Sequence, residues 1–293
     1  MTVQDVDGPA GRDLAADLPP ASLHARRAPF TGWRRLVLGL GVPALLIAVW
    51  WAAAAAGALS DRLLPAPWDI VSSARDFLFA DRRTALPGVV PFRGSAGEHV
   101  SASLGRWGVA YAIAVAVGLP LGMGLGLSRW VSAAVDPLFQ ALRSIPITAW
   151  LPIALVWFGI GEGAARYLVF VGAVSPIVIA SADATARVPR QLVDTARMLG
   201  TPRRDLARRV YLPAALPGIV TGLRLGLTLG WTSLIVGELT GATRGLGAMM
   251  FAAREVGRLD QIIVGMVTFA LIGFAADYLL RSAARPFVRW ADA

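Results

Sequence analysis

Few residues in this chain are able to do chemistry, and their placement says more than their number. Arg143 and Arg224 fall inside long apolar runs, and Glu238 closes one of them. An ionisable side chain at bilayer depth costs about 2.5–3.5 kcal/mol on insertion scales, so each needs a reason to be there. Arg143 lies about 9 Å into its run and Arg224 about 15 Å into its own, at about 1.5 Å per residue. With no carboxylate read in the middle of the runs, two arginines would form a positive path suited to a small anion. The structural alternative has Arg143 reaching back to the interface or pairing with Asp136, and Arg224 bonding carbonyls freed by Pro217. Glu238 either stands at a gate or pairs with Arg244 or Arg254. Thr148, Trp150, Trp231, Thr232 and Ser233 are the candidate pore-lining residues beside these charges, although hydroxyls on membrane helices often bond only the preceding turn.

A second group lies in a basic segment. It reads Asp194-Thr195-Ala196, three residues, Gly200, nine residues, then Val210-Tyr211-Leu212-Pro213. The pattern predicts a short helix that Gly200-Thr201-Pro202 terminates. Asp194 is expected near its start, complementing the positive helix end. Val193, Ala196 and Leu199/Gly200 would form one small apolar face, with Arg197, Arg203 and Arg204 around it.

What is missing excludes more. The chain has no Cys, so no disulfide, iron–sulfur cluster or Cys-ligated zinc is expected. All 28 basic residues are Arg, so neither a P-loop lysine nor a Schiff-base lysine exists. The two histidines, His24 and His99, fall outside the apolar runs, which leaves haem, zinc and an intramembrane proton relay without support. No metal or cofactor is expected in this chain, and it does not read as an enzyme.

The elements that must hold these residues are membrane spans. The chain of 293 residues is 56% hydrophobic and 16% charged, with a mean hydropathy of +0.59; an ordinary soluble domain carries about 25% charge. The net charge of +9 comes from arginines that flank apolar runs instead of forming a stripe with interleaved aromatics, which disfavours nucleic acid. Residues 1–35 read as a disordered tail. The run from Leu36 to Leu59 exceeds the about 7–15 residues of a cleavable leader, so an uncleaved first span is expected. Further spans are predicted at Leu104–Leu127, Pro137–Ile160, Tyr167–Ala182, Ala214–Val236 and Ile262–Leu280, the fourth being short. Residues 36–290 thus form one all-α domain of six transmembrane helices. The loop 183–213 carries seven arginines, and the positive-inside rule makes it and both termini cytoplasmic. Trp33, Trp130 and Trp290 would mark the inner interface, and Trp51, Trp107 and Trp157 the outer one. A short interfacial helix is predicted from Pro67, with Val71, Ala74, Phe77 and Leu78 at helical spacing. Gly118, Gly122 and Gly126, and Gly218, Gly222, Gly226 and Gly230, recur every four residues, a mark of close helix packing within the chain or at a subunit interface.

The basic segment resembles the EAA loop of ABC-importer permeases, E-A-A, three, G, nine, I, one, L-P. The spacing matches throughout, with Asp194 for Glu and Thr195 for the first Ala. Leu64-Pro65-Ala66-Pro67, Ser103…Arg106…Gly108, Arg143-Ser144-Ile145-Pro146 and Leu151-Pro152…Trp157-Phe158-Gly159-Ile160-Gly161 narrow the likeness. So do Gly222-Leu223-Arg224, Trp231…Leu234-Ile235-Val236…Glu238 and Gly245-Leu246-Gly247. Over about residues 60–280 the chain is similar to permeases for nitrate, taurine, aliphatic sulfonates and bicarbonate, with relatives serving riboflavin and thiamine-precursor uptake. Residues 84–97 look like an insertion. The resemblance implies a type I importer fold in a bacterial cytoplasmic membrane, with two permease copies, two ATPase subunits inside and a substrate-binding protein outside. It implies that Asp194, Thr195, Ala196, Arg197, Gly200, Leu212 and Pro213 couple the permease to the ATPase, where ATP and magnesium would bind. Two alternatives are an ion-coupled carrier, which usually shows mid-membrane Asp, Glu or His, and a permease of the same class for a neutral solute.

Overall fold

The computed structural model describes residues 32–57, 64–80, 92 and 94–288, and no strand occurs among them. The sequence-stretch 1–31, most of the 84–97 insertion and the C-terminal five residues lie outside the described residues. Residues 1–52 and 53–293 form two units. The first holds most of α1 (Gly32–Ala55), whose described apolar stretch is Gly41–Ala55.

The second unit begins with α2 (Pro67–Phe79), where Pro67 in the first turn gives up an amide that would be unpaired anyway. The helix predicted from Pro67 is present; it buries Phe77 and Ser73, while Val71 and Leu78 are exposed. α3 (Ala96–Leu127) follows, then α4 (Arg129–Arg143), a 3₁₀ turn at Ile147–Trp150, and α5 (Leu151–Phe158). Next come α6 (Glu162–Ala186), α7 (Arg190–Met198) and α8 (Arg203–Leu206). A π-turn at Ala207–Tyr211 runs directly into α9 (Leu212–Glu238), before α10 (Leu246–Glu255) and α11 (Leu259–Val288).

Among the described residues α3, α6, α9 with its π-turn, and α11 are long and apolar enough to cross a membrane. The predicted third span is broken: Pro137–Arg143 and Ile147–Phe158 meet at 93°. Pro146 lacks the amide that would continue the helix and disfavours helical backbone at Ile145. The predicted fourth span was too short; α6 has 25 residues, because Glu162 to Arg166 and Asp183 to Ala186 extend both ends.

α6 is the central element, with α3 on one side and α9 on the other. Both glycine series face it. A Cβ at Gly226 would stand 2.6 Å from Ile177 and 2.9 Å from the Ala173 carbonyl, and one at Gly222 would stand 2.5 Å from the Ala180 methyl. On the other side, a Cβ at Gly118 would come within 3.0 Å of Ile177, and one at Gly126 within 2.7 Å of Thr185. These glycines therefore serve packing within the chain. In lipid, where no hydrophobic drive favours helix association, such close backbone approach supplies the dispersion contacts instead.

Candidate functional site

At the end of the bundle where α6 begins, a buried polar network joins four elements. Arg106 on α3 donates through Nη1 to Glu238 Oε1 at 2.7 Å, and through Nε to Glu162 Oε1 at 2.7 Å. Ser103 also donates to Glu238 Oε1, at 2.7 Å. The first amides of α10 are capped from outside the helix: Leu246 donates to Ser103 Oγ at 2.9 Å and Gly247 to Glu238 Oε2 at 2.8 Å. The carboxylate thus faces the positive end of α10. The Gly245 amide donates to His99 Nδ1 at 3.1 Å. Gly245 has φ +134°, and a Cβ there would lie 2.6 Å from Arg106 Nη1, so only glycine fits. Glu238, Arg106, His99 and Ser103 are all at most 3% exposed, whereas Glu162 is half-exposed.

The expected partners of Glu238, Arg244 or Arg254, are replaced by Arg106. The run read as span two begins at Leu104, so it holds Arg106 but leaves His99 and Ser103 outside; α3 starts at Ala96 and buries all three. Beside this network, Ser73 donates to Asp260, which also holds Arg258 at 2.8 and 2.9 Å and ties α2 to α11. Outside the spans, that bond raises the Arg258 pKa above its usual range.

Half-way along the spans the structure corrects the view that no carboxylate is present. Asp277 on α11 takes Arg224 in a bidentate pair, Nε to Oδ1 at 2.7 Å and Nη2 to Oδ2 at 2.8 Å. Arg224 is neither a free cation nor bonded to carbonyls near Pro217. Trp231 is buried, stacks on Phe269 at 4.4 Å between centroids and donates to the Phe269 carbonyl at 3.1 Å, tying α9 to α11. Ser233 is likewise buried and donates to the Leu229 carbonyl. Thr232 is exposed but its hydroxyl serves the Thr228 and Leu229 carbonyls. Arg143 and Thr148 are exposed, and Trp150 is half-buried against Tyr167. Of the tryptophans placed at interfaces, Trp130 and Trp157 are exposed, while Trp107 is packed on Tyr111 inside the bundle. The side chains of Trp33 and Trp290 lie outside the described residues.

At the opposite end sits α7. It starts at Arg190, so Asp194 falls in its second turn, too far along to complement the helix start. Asp194 instead makes an exposed ion pair with Arg197 at 3.4 Å. The helix stops as its sequence predicts. Thr201 donates to the Ala196 carbonyl at 3.0 Å and Gly200 to the Arg197 carbonyl at 2.9 Å, with Gly200 at φ +80°. This is a Schellman closure, which favours glycine at that position. Val193 is the one fully buried residue of the helix and joins Val188, Ala215 and Ile219 at the base of α9, with Tyr211 and Leu212 packed against them. The predicted apolar face is divided. Val193 points inward and Ala196 is half-buried, whereas Met198 (87%) and Leu199 (82%) are exposed, beside exposed Thr195 and Gly200. Pro213 is exposed in the first turn of α9.

Long apolar helices packed through glycines, with charges sequestered at one end and an exposed basic helix at the other, define a multi-pass membrane protein. Residues 114–289 match the model of the binding-protein-dependent transport system inner membrane component, and the chain belongs to that family. It is 34% identical over 262 residues to SsuC of Escherichia coli (strain K12), a permease protein named for aliphatic sulfonates transport, covering 89% of this chain and 95% of the relative. It is 34% identical over 272 residues to the taurine transport system permease protein TauC of the same organism, covering 92% and 95%. The nitrate import permease protein NrtB of Leptolyngbya laminosa is 33% identical over 181 residues, covering 62% and 65%. Among solved structures, an inward-facing MetNI methionine ABC transporter chain aligns with a TM-score of 0.52 and 25% identity, covering 63% of this chain and 94% of that one. The fold is thus that of a type I ABC importer permease, as the sequence led one to expect.

Proposed function

We propose that this chain is the translocation subunit of an ATP-driven importer for a small anionic solute of the sulfonate, taurine or nitrate kind. A binding protein would deliver the solute at the network end, and a separate ATPase would dock at α7. The relatives' names support the solute class. The α7 end would face the cytoplasm, with six spans including α1 and both termini on that side of the bacterial inner membrane. Two copies would form the pathway. No covalent step falls to this chain, since ATP and magnesium would belong to the ATPase.

The observation that carries the coupling role is the mixed character of α7. One residue, Val193, holds it to α9, while Met198 and Leu199 stand almost fully exposed next to charged residues. Two large apolar side chains in a loop among arginines are costly in water and suit a partner's groove. Asp194, Thr195, Ala196, Arg197 and Gly200 would form the docked surface, and Leu212 and Pro213 would pass its displacement to α9. The test is solute uptake by proteoliposomes holding the permease, its ATPase and its binding protein. Gly200→Asp should abolish uptake and release the ATPase on size-exclusion chromatography. Retained uptake with an intact complex would overturn the coupling role. An ion-coupled carrier loses ground because Asp277 is already spent on Arg224.

A further inference from the structure

The broken span holds a charge that nothing among the described residues neutralises. Arg106, Arg143 and Arg224 lie away from the outer ends of the spanning segments. Arg106 has two carboxylates and Arg224 has one, but Arg143 makes no hydrogen bond or ion pair among the described residues. It is exposed at the C-terminal end of α4, followed by exposed Ser144, Ile145 and Pro146, which are not helical, and by exposed Thr148.

The depth of this break follows from α6, which serves as a ruler. α6 runs from Glu162 to Ala186, about 37 Å at 1.5 Å per residue, against about 30 Å of hydrocarbon. On one side of the break, Phe139 and Gln140 line a cavity of about 150 Å³ whose α6 wall is Val178, Ile179, Ala182, Asp183 and Ala186. On the other side, Ile147 and Trp150 pack against the cluster of Ala154, Ala164 and Leu168, and Trp150 meets Tyr167. The break therefore falls between the levels of Leu168 and Val178, around the middle of α6 and of the bilayer.

Lipid does not cover such a site. Non-helical backbone at membrane depth is tolerated only where protein or a water-filled path surrounds it. An uncompensated guanidinium there carries the same requirement. Broken helices at the midplane are where transporters hold their solutes. The planar, permanently charged guanidinium is matched to oxyanions with two or three coplanar or tripod oxygens.

We infer that the α4–α5 break is an anion station in the pathway, where Arg143, with Thr148 five residues on across the break, holds an oxyanion such as a sulfonate or nitrate at mid-membrane. This rests on the reading of the chain as a permease and deepens it. A solute passing the station exchanges water for one charge-assisted contact, and the single arginine keeps that contact weak enough to release it.

The absence of cysteine makes the test direct, because a single introduced thiol is the one thiol of this chain, and its label is read on this chain's own gel band. Ser144→Cys, in the assembled complex in nanodiscs, is reacted with an anionic sulfonatoethyl thiosulfonate and with a cationic trimethylammonioethyl one. The ratio of the two rates is compared with that at Gln191→Cys on exposed α7. The expected ratio favours the anionic reagent at position 144, and adding Arg143→Gln lowers it by tenfold or more while Arg143→Lys keeps most of it. No reaction with either reagent, or a ratio indifferent to Arg143→Gln, overturns the station. Uptake of taurine, ethanesulfonate and nitrate is measured alongside. If the labelling result holds but wild-type proteoliposomes carry none of the three, the solute assignment fails and the anion station stands.

Discussion

The two ends of the bundle are held together in opposite ways. At the network end, Arg106 and Ser103 on α3 meet Glu238, and His99 meets the Gly245 backbone, in buried bonds of 2.7–3.1 Å between residues more than a hundred positions apart. At the α7 end the polar contacts are local and exposed, the Asp194–Arg197 pair spanning three residues, and one valine anchors the helix. The first arrangement fixes the relative positions of α3, α9 and α10. The second leaves charged and apolar groups free for another molecule. Substitutions should accordingly damage folding at one end and assembly at the other.

The sharpest break of this contrast is Glu238→Ala. It leaves the buried Arg106 guanidinium only the half-exposed Glu162 and uncaps α10, so about 3–5 kcal/mol of stability should be lost. The thermal unfolding of the purified complex measures this, and a loss under about 1 kcal/mol would mean water replaces the carboxylate. Next is Gly245→Ala, which forces a Cβ against Arg106 at a backbone angle that alanine resists; about 1–3 kcal/mol should go, read the same way. Gly222→Val sharpens the comparison by testing the seam between the ends. Its side chain meets the Ala180 methyl, and about 1–3 kcal/mol of overpacking strain is expected. The smallest effect belongs to Asp194→Ala, where removing an exposed pair should change unfolding by under about 0.5 kcal/mol while weakening retention of the ATPase.

Much of the fold was legible because a membrane imposes a coarse rule, apolar runs of spanning length, which α3, α9 and α11 obey. The rule failed where hydropathy averages hide a detail. Ser144-Ile145-Pro146 sits among apolar residues, so the run from Pro137 to Ile160 reads as one helix, though Pro146 marked the break. Asp277 vanished in the same way inside a strongly apolar run, leaving Arg224 without its partner. At the site, the spacing around Gly200 announced the end of α7, because a Schellman closure is written in local sequence. The network could not be read, since it is made by tertiary contacts. Of its members only Glu238 had stood out by its own chemistry; Ser103, Arg106, Gly245 and Gly247 had stood out only as motifs of a resemblance.

The π-turn at Ala207–Tyr211 joins α9 without a gap, so one rod of 32 residues, about 48 Å long, runs from beside α7 to Glu238. Such a rod is a lever. A tilt of about 5° at its foot would swing its far tip by about 4 Å, given a length of about 1.5 Å per residue. Because Glu238 at that tip grips the start of α10, the swing would arrive at the far face of the membrane as a displaced helix, with no relay of intermediate side chains required.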